Sequence, residues 1–317
     1  LGRILAPATR LLPPPSRRHT KVECALVFDP QLFPVEWCLT RMPPLAATDS
    51  GRPLFLLGTG RCGSTFWQTL LCRTADIWIW GEHGGMLRPF ANSRRLLRDC
   101  EAFGMHAGRP VTTADIDQPT AESSPGLAWA NGFDAAAFDD HLRGFIAGLM
   151  QPGLPPGKTR WGFKEIQYGD RDKMPELLLE LFPGGTVVHT LRHPRSTFES
   201  AIRAWYPTAL ERAAADPADA RAAYMEQSRR WLGITQRLLD LAESTGRVVS
   251  VRIEDVPGGR ERLRQTLGVT TPESHPRVNC IPESRAATPA WLELLFEQLW
   301  QESEDKLQPV AARAGYA

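Results

Sequence analysis

The residues from Gly58 to Thr65 have the composition of a loop that binds an anion. They read Gly-Thr-Gly-Arg-Cys-Gly-Ser-Thr and follow the short apolar run 53–57. Glycines let the backbone bend and turn its N–H groups inward, and a helix that begins after the loop adds partial positive charge. The sequence therefore predicts a loop that cradles a phosphate or a sulfonate group.

The cation of this loop is displaced from the position that a nucleoside triphosphate loop requires. The spacing fits the pattern G-x-x-x-x-G-K-[ST], but Ser64 stands where that pattern has lysine. Arg61 lies three positions earlier, and a guanidinium can donate two parallel hydrogen bonds to a phosphate or sulfonate. We therefore expect the loop to bind an anion other than Mg-ATP.

A second candidate phosphate site follows a later apolar run. The segment 187–200 carries Arg192 and, eight positions on, Ser200. An arginine at the carboxyl end of a strand and a serine on the adjoining helix can converge on one phosphate. Together with residues 57–67, this segment resembles the sulfotransferases that use 3′-phosphoadenylyl sulfate (PAPS). A weaker match covers residues 250–256, where an isoleucine replaces the family's frequent aromatic residue.

The resemblance implies a set of residues that contact PAPS. The loop would hold the 5′-phosphosulfate, the second motif would hold the 3′-phosphate, and a late basic loop would close over the nucleotide. No metal is expected, because the cations of the protein replace it. The implied donor-binding residues are Gly60, Arg61, Cys62, Gly63, Ser64, Thr65, Phe66, Arg192, Ser200, Arg277 and Arg285.

The resemblance also implies a base next to the donor, because sulfuryl transfer must remove a proton from the acceptor. Glu82 follows the apolar run 77–80, and its place resembles that of the base in tyrosylprotein and bacterial carbohydrate sulfotransferases. His83 is the alternative, since the cytosolic branch uses histidine and an imidazole titrates near neutrality. We favour Glu82 as the base.

Lys164 is the remaining candidate for a catalytic cation. It resembles the lysine that, in the carboxylate-base branch, follows a short strand and stabilises the bridging oxygen or the sulfuryl group. If Trp161 and Phe163 face the core, the alternation of a strand puts Lys164 on the opposite face. The predicted catalytic residues are therefore Glu82 or His83, with Lys164 and Arg61.

Strand-like and helix-like segments alternate along the chain, which favours an α/β domain with a mainly parallel sheet. We expect the P-loop type, with three layers in which a central sheet is flanked by helices. The strand-like segments are 53–57, 160–166, 185–191 and 247–253, and the helix-like segments are 87–102, 133–150, 173–182, 195–205, 219–244 and 289–304.

The predicted domain covers residues 51–317. Residues 1–50, with three successive prolines and a basic cluster, are interpreted as an N-terminal arm and a cover segment. Residues 102–132 are rich in Pro, Gly, Ser, Thr and Asp. Such a long irregular connection is typical of a functional loop or lid, and we expect it to shape the acceptor pocket.

The composition limits the classes of partner. A formal net charge of +1 over 317 residues gives no electrostatic reason to expect binding to nucleic acid or to an anionic membrane. No apolar run approaches the ~18 residues of a membrane span. The six cysteines form no C-x-x-C pair and have no zinc-like spacing, which favours packed thiols in a reducing compartment such as the cytoplasm. The chain begins at Leu1, so a targeting or anchoring segment could precede it.

The function that these patterns favour is transfer of a sulfuryl group from PAPS to a hydroxyl of a small molecule or a glycan. Protein tyrosine stays open as an acceptor, and the sequence names neither the acceptor nor the oligomeric state. The alternatives are a P-loop kinase or related phosphotransferase, which needs Mg²⁺ and ATP, and a non-catalytic nucleotide-binding protein on the same scaffold.

Overall fold

A computed structural model describes residues 52–100, 132–168, 171–214, 216–273 and 290–316. The N-terminal arm, the irregular segment up to residue 131, and both Arg277 and Arg285 lie outside these residues. Their predicted roles, and the domain boundary near residue 50, therefore stay predictions. No helix in the described part of the chain is long and apolar enough to cross a membrane.

A parallel sheet of five strands forms the centre of the described residues, in the order β2-β3-β1-β4-β5. Every neighbouring pair in it runs parallel. The strands are β1 (Leu54–Gly58), β2 (Ile77–Trp80), β3 (Arg160–Glu165), β4 (Thr186–Leu191) and β5 (Val248–Arg252).

Helices cover both faces of this sheet. In chain order they are α1 (Ser64–Cys72), α2 (Arg88–Asp99), α3 (Ala135–Met150), α4 (Met174–Leu181), α5 (Pro194–Trp205), α6 (Pro207–Ala213), α7 (Ala218–Thr245), α8 (Val256–Leu267) and α9 (Ala290–Arg313). The three layers confirm the predicted α/β fold.

The alternation of side chains along β1 divides the core into two halves. Phe55 and Leu57 face a cluster that includes Leu142 of α3, Leu178 of α4 and Leu238 of α7. On the other face, Leu54 and Leu56 pack against a cluster with α1 and α8. Because both faces are covered, β1 is apolar along its whole length and every one of its residues is buried.

The order of the strands opens a crevice beside the carboxyl end of β1. After β1 the chain crosses to β2 and β3 on one side, whereas β4 pairs with β1 on the other side and is followed by β5. At such a reversal the connections leave the sheet in opposite directions, so ligands bind between the strand ends. Both predicted phosphate motifs begin at this point.

Four elements differ from the sequence-based expectations. The apolar run 77–80 is a strand, the final helix continues to Arg313 rather than Glu304, and neither α6 nor α8 was predicted. The Pro257-Gly258-Gly259 start of α8 is typical of a turn, but the side chain of Asp255 accepts a hydrogen bond from Gly258 N and caps the helix. Gly259 is required there, because a Cβ would lie 2.4 Å from Trp67 Cη2.

Gly162 sits where β3 passes between β2 and β1, and we expect Gly162→Ala to lower the free energy of unfolding by about 2 to 3 kcal/mol. Its Cβ would lie 1.8 Å from Leu54 O and 2.8 Å from Ile79 Cδ1. Gly148→Ala is the control, since nothing lies within 4 Å of its Cβ on α3; we expect a gain of about 0.5 to 1 kcal/mol. Urea unfolding of both variants tests this, and equal stabilities would contradict it.

His189, which is 1% exposed in β4, makes stability depend on pH. Burial lowers its pKa to about 3, from the ordinary 6.5. Between these values the unfolded chain binds a proton that the folded chain does not, so the folded state loses stability as pH falls. We expect the unfolding free energy to lose about 2 kcal/mol between pH 7 and pH 5 through this residue. Urea unfolding should show a smaller loss in His189→Gln; an equal loss would contradict the assignment.

Candidate active site

The loop between β1 and α1 is built for close approach to a ligand. Gly63, the residue before α1, has φ 83°, and no side chain of the described residues caps the first turn of that helix. The first N–H groups of a helix have no intrahelical acceptor, so these donors stay available for an anion. The indole of Trp205 packs directly on Gly60, where a Cβ would lie 2.0 Å from Trp205 Cη2.

A cavity of about 540 Å³ opens in front of this loop. It is lined by Glu82 and by most of the described residues that were predicted to bind PAPS. The lining residues are Arg61, Gly63, Ser64, Thr65, Phe66, Glu82, Ile166, Arg192, Ser196, Trp205, Ile253 and Glu254. The two phosphate motifs, which are far apart in sequence, therefore share one cavity.

Lys164 joins the loop to Glu82. Its Nζ lies 2.7 Å from Glu82 Oε1 and donates a hydrogen bond of 3.1 Å to Thr65 Oγ1. Trp161 and Phe163 pack into the core on the other face of β3, as the alternation predicts. The Lys164 ammonium thus contacts a carboxylate and a hydroxyl whose residues both line the cavity.

Glu82 and His83 face different surroundings although they are neighbours. The Glu82 side chain is 37% exposed and lines the cavity. The His83 side chain is only 11% exposed, and its Nδ1 lies 3.3 Å from Glu165 Oε2. Its Nε2 lies 3.2 Å from the hydroxyl of Tyr168, and its ring meets Phe163 edge-on.

Burial lowers the pKa of His83, and the neighbouring Glu165 carboxylate opposes that change. The lowered pKa favours a neutral imidazole near pH 7. Since both ring nitrogens lie beside protein groups, the geometry favours Glu82 over His83 as the group that meets a ligand in the cavity.

The second phosphate motif meets the loop through Arg61. Arg192 Nη1 donates a hydrogen bond of 3.4 Å to Arg61 O, and Arg61 Nε donates one of 3.0 Å to Ser200 Oγ. Ser200 is buried, whereas Ser196, one helical turn earlier, lines the cavity beside Arg192. The structure thus brings both arginines and Ser200 together and adds Ser196, which sequence reasoning missed.

Cys62 anchors the loop between β1 and α1 to strand β4. It is fully buried, and its Sγ lies 2.9 Å from Thr190 Oγ1 of β4. Burial raises the pKa of this thiol, which disfavours the thiolate. Cys62, Cys72 and Cys100, the cysteines of the described residues, are free.

Trp205 and Glu254 also line the cavity, although the sequence alone gives little indication of it. Trp205 is 42% exposed and lies over Gly60. Glu254 accepts hydrogen bonds from His193 N at 2.8 Å and from the Tyr316 hydroxyl at 3.0 Å. It therefore holds the segment that follows Arg192, at the edge of the cavity.

The parallel sheet, the glycine-rich loop at its carboxyl edge and the arginines around one cavity define an α/β protein of the P-loop type. The chain belongs to the sulfotransferase family, whose model matches residues 53–273. Among the described residues, no group of three or more His, Cys, Asp or Glu side chains is placed to hold a metal ion.

Solved structures with a similar fold include several sulfotransferases. A sulfotransferase from Alicyclobacillus acidocaldarius is 16% identical over 83% of this chain and 94% of that chain, with a TM-score of 0.44. The sulfotransferase domain from the curacin biosynthetic pathway is 16% identical over 84% and 98%, with a TM-score of 0.46. The sulfotransferase domain of the Synechococcus PCC 7002 olefin synthase is 19% identical over 80% and 94%, with a TM-score of 0.42. No curated protein matches the chain.

Proposed function

We propose that this sulfotransferase moves the sulfuryl group of PAPS to a hydroxyl of a small molecule or a glycan, with Glu82 as the base. The observation that carries the proposal is the contact of 2.7 Å between Glu82 Oε1 and Lys164 Nζ beside the loop. A carboxylate at the cavity wall that can accept a proton then lies against an ammonium that can offset negative charge.

In the proposed reaction the acceptor oxygen attacks the sulfur of PAPS, and the bond from sulfur to the 5′-phosphate oxygen breaks. The acceptor proton passes to Glu82. The products are a sulfate ester and adenosine 3′,5′-bisphosphate. Lys164 and Arg61 offset the charge on the sulfuryl group and on the leaving phosphate, which lowers the barrier because these cations are already in place.

The chain supplies fitting partners for both ends of the donor. The first turn of α1 offers backbone N–H groups for the 5′-phosphosulfate, and Ser64 and Thr65 add hydroxyls at the cavity. Arg192, with Ser196 beside it, is the proposed site of the 3′-phosphate. Ser200 contributes by accepting a hydrogen bond from Arg61. We place the enzyme in a reducing compartment such as the cytoplasm, which the three free cysteines of the described residues support.

Incubation with PAPS and a library of metabolites and glycans, in the presence of EDTA, tests the proposal. We expect products heavier by one sulfo group and release of adenosine 3′,5′-bisphosphate. Calorimetry provides the matched binding test, with adenosine 3′,5′-bisphosphate compared with ATP. Tight ATP binding that requires Mg²⁺, together with phosphorylated products, would replace the proposal with a kinase. Bisphosphate binding without turnover of any acceptor would favour a binding protein.

A further inference from the structure

Glu165, the last residue of β3, is a carboxylate with no exposed side-chain surface. Its Oε2 accepts hydrogen bonds from His83 N at 3.2 Å and from Gly85 N at 2.8 Å. Its Oε1 accepts hydrogen bonds of 2.8 Å from Ile166 N and Gln167 N. One buried carboxylate therefore binds the backbone of two loops, those that follow β2 and β3.

The loop after β2 is shaped around this carboxylate. Gly84 and Gly85 have φ values of 65° and 73°, which are left-handed conformations that glycine adopts most readily. They turn the chain so that two of its N–H groups point at one oxygen of Glu165. A buried carboxylate is costly unless it is hydrogen-bonded, so the four backbone donors and the negative charge stabilise each other.

The two residues of the proposed chemistry lie directly beside this arrangement in the chain. Lys164 precedes Glu165, and strand alternation sends their side chains to opposite faces. Glu82 precedes His83, whose N–H is one of the four donors. Glu165 is therefore adjacent in the chain to the cation and hydrogen-bonded to the residue that follows the base.

We propose that Glu165 is a positioning residue for sulfuryl transfer, which fixes Glu82 at 2.7 Å from Lys164 without touching either substrate. This inference rests on the proposed function, because it gives Glu82 and Lys164 their catalytic roles. It also accounts for His83, whose ring fills the space between Glu165, Tyr168 and Phe163 and is not among the residues that line the cavity.

Glu165→Gln is the first test, because the amide keeps the size of the side chain but turns one acceptor into a donor that faces backbone N–H groups. We expect kcat with PAPS to fall about 100-fold, the effect of misplacing reacting groups by about 1 Å. The Kd for adenosine 3′,5′-bisphosphate should change less than about threefold, because α1 and Arg192 build that site. Glu165→Asp, which keeps the charge, should recover part of the lost kcat.

A double-mutant cycle separates positioning from a general loss of structure. In the Glu82→Gln background, Glu165→Gln should lower kcat by less than about threefold, because the base that it positions is already gone. An equal 100-fold fall in both backgrounds would overturn the proposal. Asp139→Asn is the matched control, since Asp139 pairs with Arg94 at 2.6 Å and Arg98 at 2.8 Å away from the cavity. It should lower Tm and leave kcat unchanged.

Amide hydrogen exchange supplies a readout that does not depend on activity. In Glu165→Gln, or in Glu165→Asp if the first variant does not fold, exchange should accelerate in residues 82–86 and 166–167 and stay unchanged in α1. Unchanged exchange in those loops would overturn the positioning role. If the wild-type protein transfers no sulfuryl group while exchange accelerates as expected, the proposed function fails but the loop-fixing role of Glu165 stands.

Discussion

Glu82→Gln is expected to lower the single-turnover rate of sulfuryl transfer from PAPS about 1,000-fold, within the range that general base catalysis contributes. The amide is the same size as the carboxylate but cannot take the acceptor proton. It keeps an oxygen toward Lys164, which lies 2.7 Å from the native carboxylate, so the cavity should keep its shape. Rapid-quench kinetics with a saturating acceptor measures the rate, and calorimetry should give an unchanged Kd for adenosine 3′,5′-bisphosphate.

His83→Ala is the matched control for that variant. The imidazole packs against Glu165, Tyr168 and Phe163, so its removal should lower Tm. The backbone N–H that binds Glu165 remains, and we expect the transfer rate to stay within about tenfold of wild type. A severe loss in His83→Ala with full activity in Glu82→Gln would move the base to the histidine. Wild-type rates of sulfuryl transfer in both variants would contradict the assignment of a base to this loop.

Lys164→Met is expected to lower kcat by about 100-fold to 1,000-fold, the cost of removing one preorganised electrostatic contact to the transition state. Methionine keeps much of the length of the side chain and removes the charge that lies between Glu82 and Thr65. Because charge develops on the leaving phosphate during transfer, kcat should fall more than the affinity for PAPS. Steady-state kinetics with varied PAPS separates the two effects.

Lys158→Met is the control for the loss of a lysine. Its Nζ donates hydrogen bonds to Cys72 O and Thr74 O at the end of α1, so it stabilises the fold without reaching the cavity. We expect a lower Tm and an unchanged kcat. If both lysine variants lose activity in proportion to their loss of Tm, Lys164 has no specific role in the reaction.

Much of the fold follows from local patterns, and its exceptions have local causes. The apolar run of β1 and the β-branched run of β4 identify buried strands, because strands covered on both faces read as continuous apolar segments. The strand at 77–80 has only four residues, too few for periodicity to separate it from the helical run before it. The sequence at the start of α8 is typical of a turn, and Gly259 is needed there because it packs against Trp67 of α1.

The candidate site also has a part that local sequence patterns predict and a part that depends on tertiary packing. Arg61, Thr65, Glu82 and Arg192 could be found from residue type and spacing, because their chemistry is tied to a loop or to the end of a strand. The difference between Glu82 and His83 depends on Glu165, which lies 82 positions from His83. No local pattern carries that information. Ser196 and Trp205 were likewise missed, since only the packing of α5 decides which side chains face the cavity.

The central place of β1 has a consequence for the biosynthesis of the enzyme. Leu54 is in register with both Gly162 and Thr186, so β1, which is the first strand among the described residues, pairs with two strands that are synthesised much later. Such non-local parallel pairing is slow and leaves an apolar strand exposed during translation. We therefore expect nascent chains to be prone to aggregation, and the yield of folded protein to rise when translation is slowed or chaperones are co-expressed.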